Sequence, residues 1–271
     1  MQGGFFMFNF TKGLFLFSLT APNPDAPDYM TFTKEGKILM RIAAVAAVIL
    51  IIVVYNLCFR KKNDETADGS DFKKASLAKK SIMSTKELVL CAVCIALAFI
   101  CSSIKFFEMP YGGSITLFSM LFITLIGFFF GVKTGILCGT AYGIFQLLQD
   151  PWLLSPLQIC FDYIFAFAAL GLSGIFRNLE SKNENGKASK RRGLIIGYVF
   201  AAVMRGISHV IGGYLFWMDS MPEKFPKAFS GIYPIVYNFS FIGAEIILTV
   251  IVLMLPGVSK VLLWLRREAN K

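Results

Sequence analysis

Apolar residues in this chain come in long unbroken blocks rather than in alternation. Seven blocks of about 20 residues, roughly 39–59, 86–105, 112–130, 132–149, 155–176, 191–217 and 233–256, have the length a helix needs to cross a ~30 Å hydrocarbon layer. The pattern therefore predicts seven spanning helices in an all-α integral membrane bundle. Turn residues punctuate it: MPYGG at 109–113, GVKTG at 131–135, DPW at 150–152 and a polar loop, ESKNENGKASKRR, at 180–192. Ser84-Thr85-Lys86-Glu87 has the spacing of a capping box and marks the start of the second block.

The polar segments divide the chain further. Residues 1–38 form a Phe-rich and then Pro-rich leader, and 39–59 is the first spanning block. A charged linker over 60–83, rich in Lys and containing Gly, Ser and Ala, separates that block from the rest. The first helix thus reads as an appendage to a six-helix domain at 84–271. Basic residues set an orientation. They gather at 60–86, at 177–192, at Lys133 and at the C-terminus (Arg266, Arg267, Lys271), and strict alternation of the helices puts all four on one side. By the excess of Lys and Arg in cytoplasmic loops, that side is the cytoplasm of a bacterial cell membrane. The loops at 105–111, 150–154 and 218–232 then face outward.

Composition agrees and narrows the class. Hydrophobic residues make up 56% of the chain and charged ones 16%, with a mean hydropathy of +0.64. A soluble domain needs far more polar surface. The net charge of +10 sits in short runs between apolar blocks, the pattern of loops meeting anionic headgroups rather than of a nucleic-acid-binding face. Cys91 and Cys94 spell C-x-x-C, but apolar flanks and the lack of a nearby His favour helix packing over a metal or redox site. No nucleophile stands beside a base and no phosphate-binding G-x-x-x-x-G-K-[ST] occurs, so neither catalysis nor a bound cofactor is expected.

Polar and aromatic residues collect at the predicted outer face. Trp217 ends its block there, and the chain's single histidine, His209, lies about 12 Å deeper in a continuous helix. Asp162 is about 10 Å deep on another helix, while Tyr233, Tyr237 and Asn238 occupy the first turns of the last block. Each has an ordinary alternative: interface anchoring for Trp and Tyr, packing for His, interhelical hydrogen bonding for Asn. An Asp at that depth is harder to explain without a site, since insertion costs it about 2.5–3.5 kcal/mol. Aromatic faces attract cations, a carboxylate supplies countercharge, and an amide reads a heteroaromatic edge, so the set suits a small, flat, cationic ligand. Arg205 and Glu245, both about 18 Å deep, are expected to form a structural ion pair. Gly212 and Gly213 either bend the helix between His209 and Trp217 or serve close packing.

Several motifs in one order carry a resemblance. YGGSITLFSM at 111–120, G-x(3)-G-x(3)-G-x(2)-YG-x(2)-Q from Gly131 to Gln146, DYIFAFAALGLSG at 162–174, H-x(7)-W at 209–217 and Y-x(3)-YN at 233–238 resemble the thiamine-specific S component of energy-coupling factor (ECF) transporters. The resemblance spans about 84–265. It implies a membrane subunit that binds thiamine from outside and docks on one coupling subunit and two ATPases. It also implies ligand-binding roles for Asp162, Tyr163, His209, Trp217, Tyr233 and Asn238, with Tyr237 beside them, and a small-residue docking face at Ala92 and Ala96. Two departures stand out: Asp162 replaces a Glu, and the loop before the second body helix lacks a Trp, leaving Phe107 or Tyr111 as substitutes. The alternatives are an S component for another vitamin or a thiamine precursor, and a solitary proton-coupled thiamine transporter.

Overall fold

The computed structural model describes residues 20–23, 26–32, 38, 83–149, 151–182, 188–222 and 226–271. The expected first spanning helix at 39–59 and the linker after it lie outside the described residues, apart from Met83. Within the leader, β1 (Thr20–Asn23) and β2 (Ala26–Phe32) pair as an antiparallel hairpin.

Helices carry the rest. The first, α1 (Thr85–Ser102), starts as its sequence predicts: Ser84 is the N-cap, and its hydroxyl accepts the Glu87 N–H at 3.1 Å. The block expected to be helical over 112–130 behaves differently. Ser114–Thr116 is a strand, β4, paired antiparallel with β3 (Lys105–Glu108), and the helix, α2, covers only Ser119–Phe130. Tyr111 and Phe118 take left-handed backbone angles, φ 64° and 57°, which turn the chain at the hairpin tip and again before α2. At 12 residues α2 is about 18 Å long, too short to span alone. Ten of its residues are buried, so it is a core element wrapped by its neighbours.

The following helix, α3 (Val132–Gln149), packs against α4 (Pro156–Phe176) along a seam of glycines. A methyl on Gly135 would lie 2.8 Å from the Gly171 α-carbon, and one on Gly139 would strike the Phe167 carbonyl. Small residues let two backbones approach in lipid, where there is no hydrophobic drive to bring helices together. The winding of α4 is irregular. It begins as α-helix (Pro156–Ile159), widens into a π-turn over Cys160–Phe165, and tightens to 3-10 geometry over Ala169–Phe176. That last stretch packs against α2, α3 and α5 at once, with Leu170 and Ser173 fully enclosed.

A short β5–β6 ladder (Ser181–Lys182 with Ala188–Ser189) leads into α5 (Arg191–Phe216), which runs unbroken through Gly212 and Gly213. The last expected span, 233–256, is a single helix, and a further one follows it. α6 (Tyr233–Met254) stops before Pro256, whose ring starts a separate helix, α7 (Pro256–Ala269), crossing the basic end of the bundle. There Arg177 donates to the Phe129 carbonyl and to Asn270, and Lys86 donates to the Glu268 carbonyl.

Among the described residues, four helical stretches are long and apolar enough to cross a membrane: Thr85–Ser102, Pro156–Phe176, Arg191–Phe216 and Ala228–Met254. Their outward surfaces are apolar too, with Ile207, Ile211 and Leu215 exposed on α5 and Ile247, Leu248 and Ile251 on α6. Lipid is the solvent that accepts such a surface. The protein is a multi-pass helical membrane protein.

Candidate ligand-binding site

One end of the bundle holds a cavity walled by α3, α4, α5, α6 and the β3–β4 hairpin. The π-turn of α4 places Asp162 and Tyr163 on it, and the Ser208 hydroxyl of α5 donates to the Phe161 carbonyl at 2.8 Å, fixing that wide turn to its neighbour. Asp162 is the centre of the polar wall. Its Oδ2 accepts from Gln158 Nε2 at 2.7 Å and from Trp217 Nε1 at 3.0 Å, while its Oδ1 lies 3.4 Å from His209 Nδ1.

His209 is held on both edges. Arg205 Nε, which can only donate, faces His209 Nε2 at 3.3 Å, so the ring proton belongs on Nδ1, toward Asp162. The two glycines between His209 and Trp217 serve close approach rather than bending. A methyl on Gly212 would lie 2.8 Å from Asp162 Oδ1, and one on Gly213 would lie 2.8 Å from Pro234 Cβ. His209 and Trp217, about 80° apart around an ideal helix, converge because both reach the same carboxylate.

The opposite wall comes from α6 and the hairpin. Tyr233 and Tyr237 have ring centroids 5.8 Å apart, and Phe241 follows 5.9 Å below Tyr237. The Tyr237 hydroxyl donates to the Pro110 carbonyl and accepts the Gly113 N–H at 3.3 Å. Asn238 donates to the Pro234 carbonyl at 2.9 Å and to the His209 carbonyl at 3.4 Å, which leaves its own carbonyl oxygen as the group able to receive a ligand donor.

All seven residues proposed to bind ligand line this one cavity, and so does Tyr111. Phe107 does not: it is 54% exposed and outside the cavity lining. Two contributors escaped the sequence reading. Trp152 stands between Tyr111 and Trp217, edge to face with each at 6.4 and 6.2 Å, and its backbone N–H donates to the Tyr163 hydroxyl. In the sequence, Asp-Pro-Trp at 150–152 carries only the signal of a turn. Gln158, fully buried, sits one helical turn before Asp162, a spacing that a search for partners of the buried acid would have found.

Arg205 and Glu245 do not form the direct ion pair expected of them. Both line the cavity, but Arg205 reaches His209 and lies 4.5 Å over the Phe167 ring, whereas Glu245 accepts from Thr116 and Met120. Equal depth on two helices brought them near each other without aligning their side chains. Ala92 and Ala96 are exposed on α1, beside an apolar groove that also involves Leu88, Ile95, Phe99 and Leu137. No group of three His, Cys, Asp or Glu side chains able to hold a metal occurs among the described residues.

The profile of the thiamine transporter protein family (Thia_YuaJ) matches residues 88–263, which contain every wall of the cavity. The chain belongs to this family. It is 36% identical over 156 residues to the thiamine transporter ThiT of Bacillus subtilis (strain 168), an alignment covering 55% of this chain and 78% of that relative. A solved structure of ThiT from Listeria monocytogenes superposes with a TM-score of 0.52 at 22% identity, covering 65% of this chain and 96% of the other. That likeness shows the shared fold. The leader and the block at 39–59 precede the family match.

Proposed function

We propose that the protein binds thiamine at this cavity and is the substrate-binding S component of an ECF-type vitamin transporter. The observation that carries the reading is the environment of Asp162. Its direct contacts are an amide, an indole and an imidazole whose proton is already assigned, so its negative charge is not consumed by a fixed cation of the protein. A cationic thiazolium supplies the missing charge, and the rings of Trp217, Tyr233 and Tyr237 supply faces worth about 0.5–2 kcal/mol each. The free carbonyl oxygen of Asn238 suits an edge of the second ring, while His209, held on both of its edges, offers that ring a face to stack on. Membership of a thiamine transporter family supports the same ligand.

The hairpin end faces outward in this reading, because Arg177, Lys190, Arg191, Arg192, Arg266 and Arg267 gather at the other end. Energy comes from a separate module of one coupling subunit and two ATPases. The exposed Ala92 and Ala96 on α1, with the apolar groove beside them, suit the close helix approach such docking needs. Titration calorimetry of purified protein with thiamine tests the ligand. Submicromolar binding is expected, weakened at least tenfold by His209→Ala or Trp217→Ala. Binding weaker than micromolar, or indifferent to both substitutions, overturns the assignment.

A further inference from the structure

Glu245 is the carboxylate left over once Asp162 is assigned to the ligand. It lies on α6, two turns beyond Tyr237, and is only 2% exposed. Its oxygens are turned toward the hairpin rather than toward Arg205. Oε2 accepts from the Thr116 backbone N–H at 3.1 Å and from the Thr116 hydroxyl at 3.0 Å. Oε1 accepts from the Met120 N–H at 3.4 Å. The Ser119 and Thr116 hydroxyls are themselves 2.7 Å apart, extending the network by one link.

These partners are the base of the β3–β4 hairpin and the first turn of α2. That turn has no side-chain cap of its own, since its N-cap residue is Phe118 in a left-handed conformation. A helix start presents unpaired N–H groups and a partial positive charge, and Glu245 meets one of them, that of Met120, from a different helix. Thr116 also closes the hairpin, opposite Lys105. At the other end of the hairpin, Tyr237 holds Pro110 and Gly113. The hairpin is therefore clasped to α6 at its tip and at its base, and α6 is the helix that also carries Tyr233 and Asn238 into the cavity.

We propose that Glu245 is a positioning residue: its carboxylate clasps the hairpin to α6, so that two walls of the cavity move as one body and retain the ligand between them. The ligand half of this statement rests on the thiamine reading above; the clasp itself does not. A carboxylate is needed because donors arrive at both of its oxygens. Glutamine has the same size but would turn an NH₂ toward either Thr116 or Met120. Glu245 acts in this proposal through Thr116 and Met120, the groups its oxygens hold.

Two measurements on the full chain in detergent test it. Hydrogen exchange of the ligand-free protein should accelerate at residues 105–120 in Glu245→Ala and, to a lesser degree, in Glu245→Gln, with α3, α4 and α5 unchanged. Tyr237→Phe should loosen only the tip, around 109–113. Release of bound radiolabelled thiamine in a chase should quicken by about tenfold or more in Glu245→Ala and by a smaller factor in Glu245→Gln. If Glu245→Ala does not fold, Glu245→Gln decides. Unchanged exchange in the hairpin, exchange rising equally in all helices, or unchanged release from a loosened hairpin each overturns the proposal. Wild-type protein that binds no thiamine would defeat the ligand assignment, while the exchange pattern still decides the clasp.

Discussion

At the level of single residues, the site is built around one acid whose neighbours hold it without neutralising it. Gln158, Trp217 and His209 fix Asp162 in position from three directions. Asp162→Asn keeps the shape and removes the charge, so thiamine affinity should fall by about 10- to 100-fold in a titration. A neutral pyrimidine should lose little, and equal losses for both would mean the carboxylate acts as a hydrogen-bond acceptor alone. Much of this site was legible in the sequence, because a buried Asp, a lone His and a Trp are conspicuous in so apolar a chain. Gln158 and Trp152 were not. An amide and an interfacial Trp have ordinary explanations until a partner is seen, and theirs lie across a loop or one turn away in three dimensions. The fate of Arg205 and Glu245 shows the same limit: depth along a helix follows from counting, whereas the direction a side chain faces does not.

At the level of elements, regular helices were easy to locate and irregular ones were not. The block at 112–130 is continuously apolar, and an apolar run alone does not separate a buried strand from the start of a buried helix. Only the left-handed turns at Tyr111 and Phe118 and the pairing with 105–108 resolve it. The π-turn of α4 left no mark in the sequence, although it carries the acid. Its counterpart, the glycine repeat on α3, was visible as a motif and now has a mechanical role. It brings α3 into backbone contact with α4 so that Tyr163 and Phe167 stand against Gly143 and Gly139. Gly139→Ala should therefore destabilise the bundle by about 1–3 kcal/mol through overpacking, seen as a lower melting temperature in detergent. The same change at Gly231, where nothing lies within 4 Å, should leave the melting temperature unaltered.

At the level of the whole molecule, polarity is sorted end to end. The cavity and its aromatic rim occupy one end, the basic loops and α7 the other, and apolar side chains cover the flanks. The sequence carries no phosphate-binding G-x-x-x-x-G-K-[ST] motif. Thiamine uptake into cells should accordingly require co-expressed ATPases and survive collapse of the proton gradient when ATP is maintained. Uptake that persists without any ATPase and stops with the gradient would instead identify a solitary, ion-coupled carrier. This end-to-end division could be read from the Lys and Arg positions alone, since loop charge depends on composition and not on side-chain geometry.

The placement of the tryptophans has an optical consequence. The chain has three: Trp152 and Trp217 stand 6.2 Å apart at the cavity rim, and Trp264 lies half-exposed on α7 at the opposite end. Two of the three tryptophans thus line the ligand space, and a cationic aromatic guest stacked there is a natural quencher of both. The remaining one reports on the far surface. Loading of the chamber can therefore be followed by the emission of the two rim tryptophans without attaching a dye, with Trp264 as the distant reference.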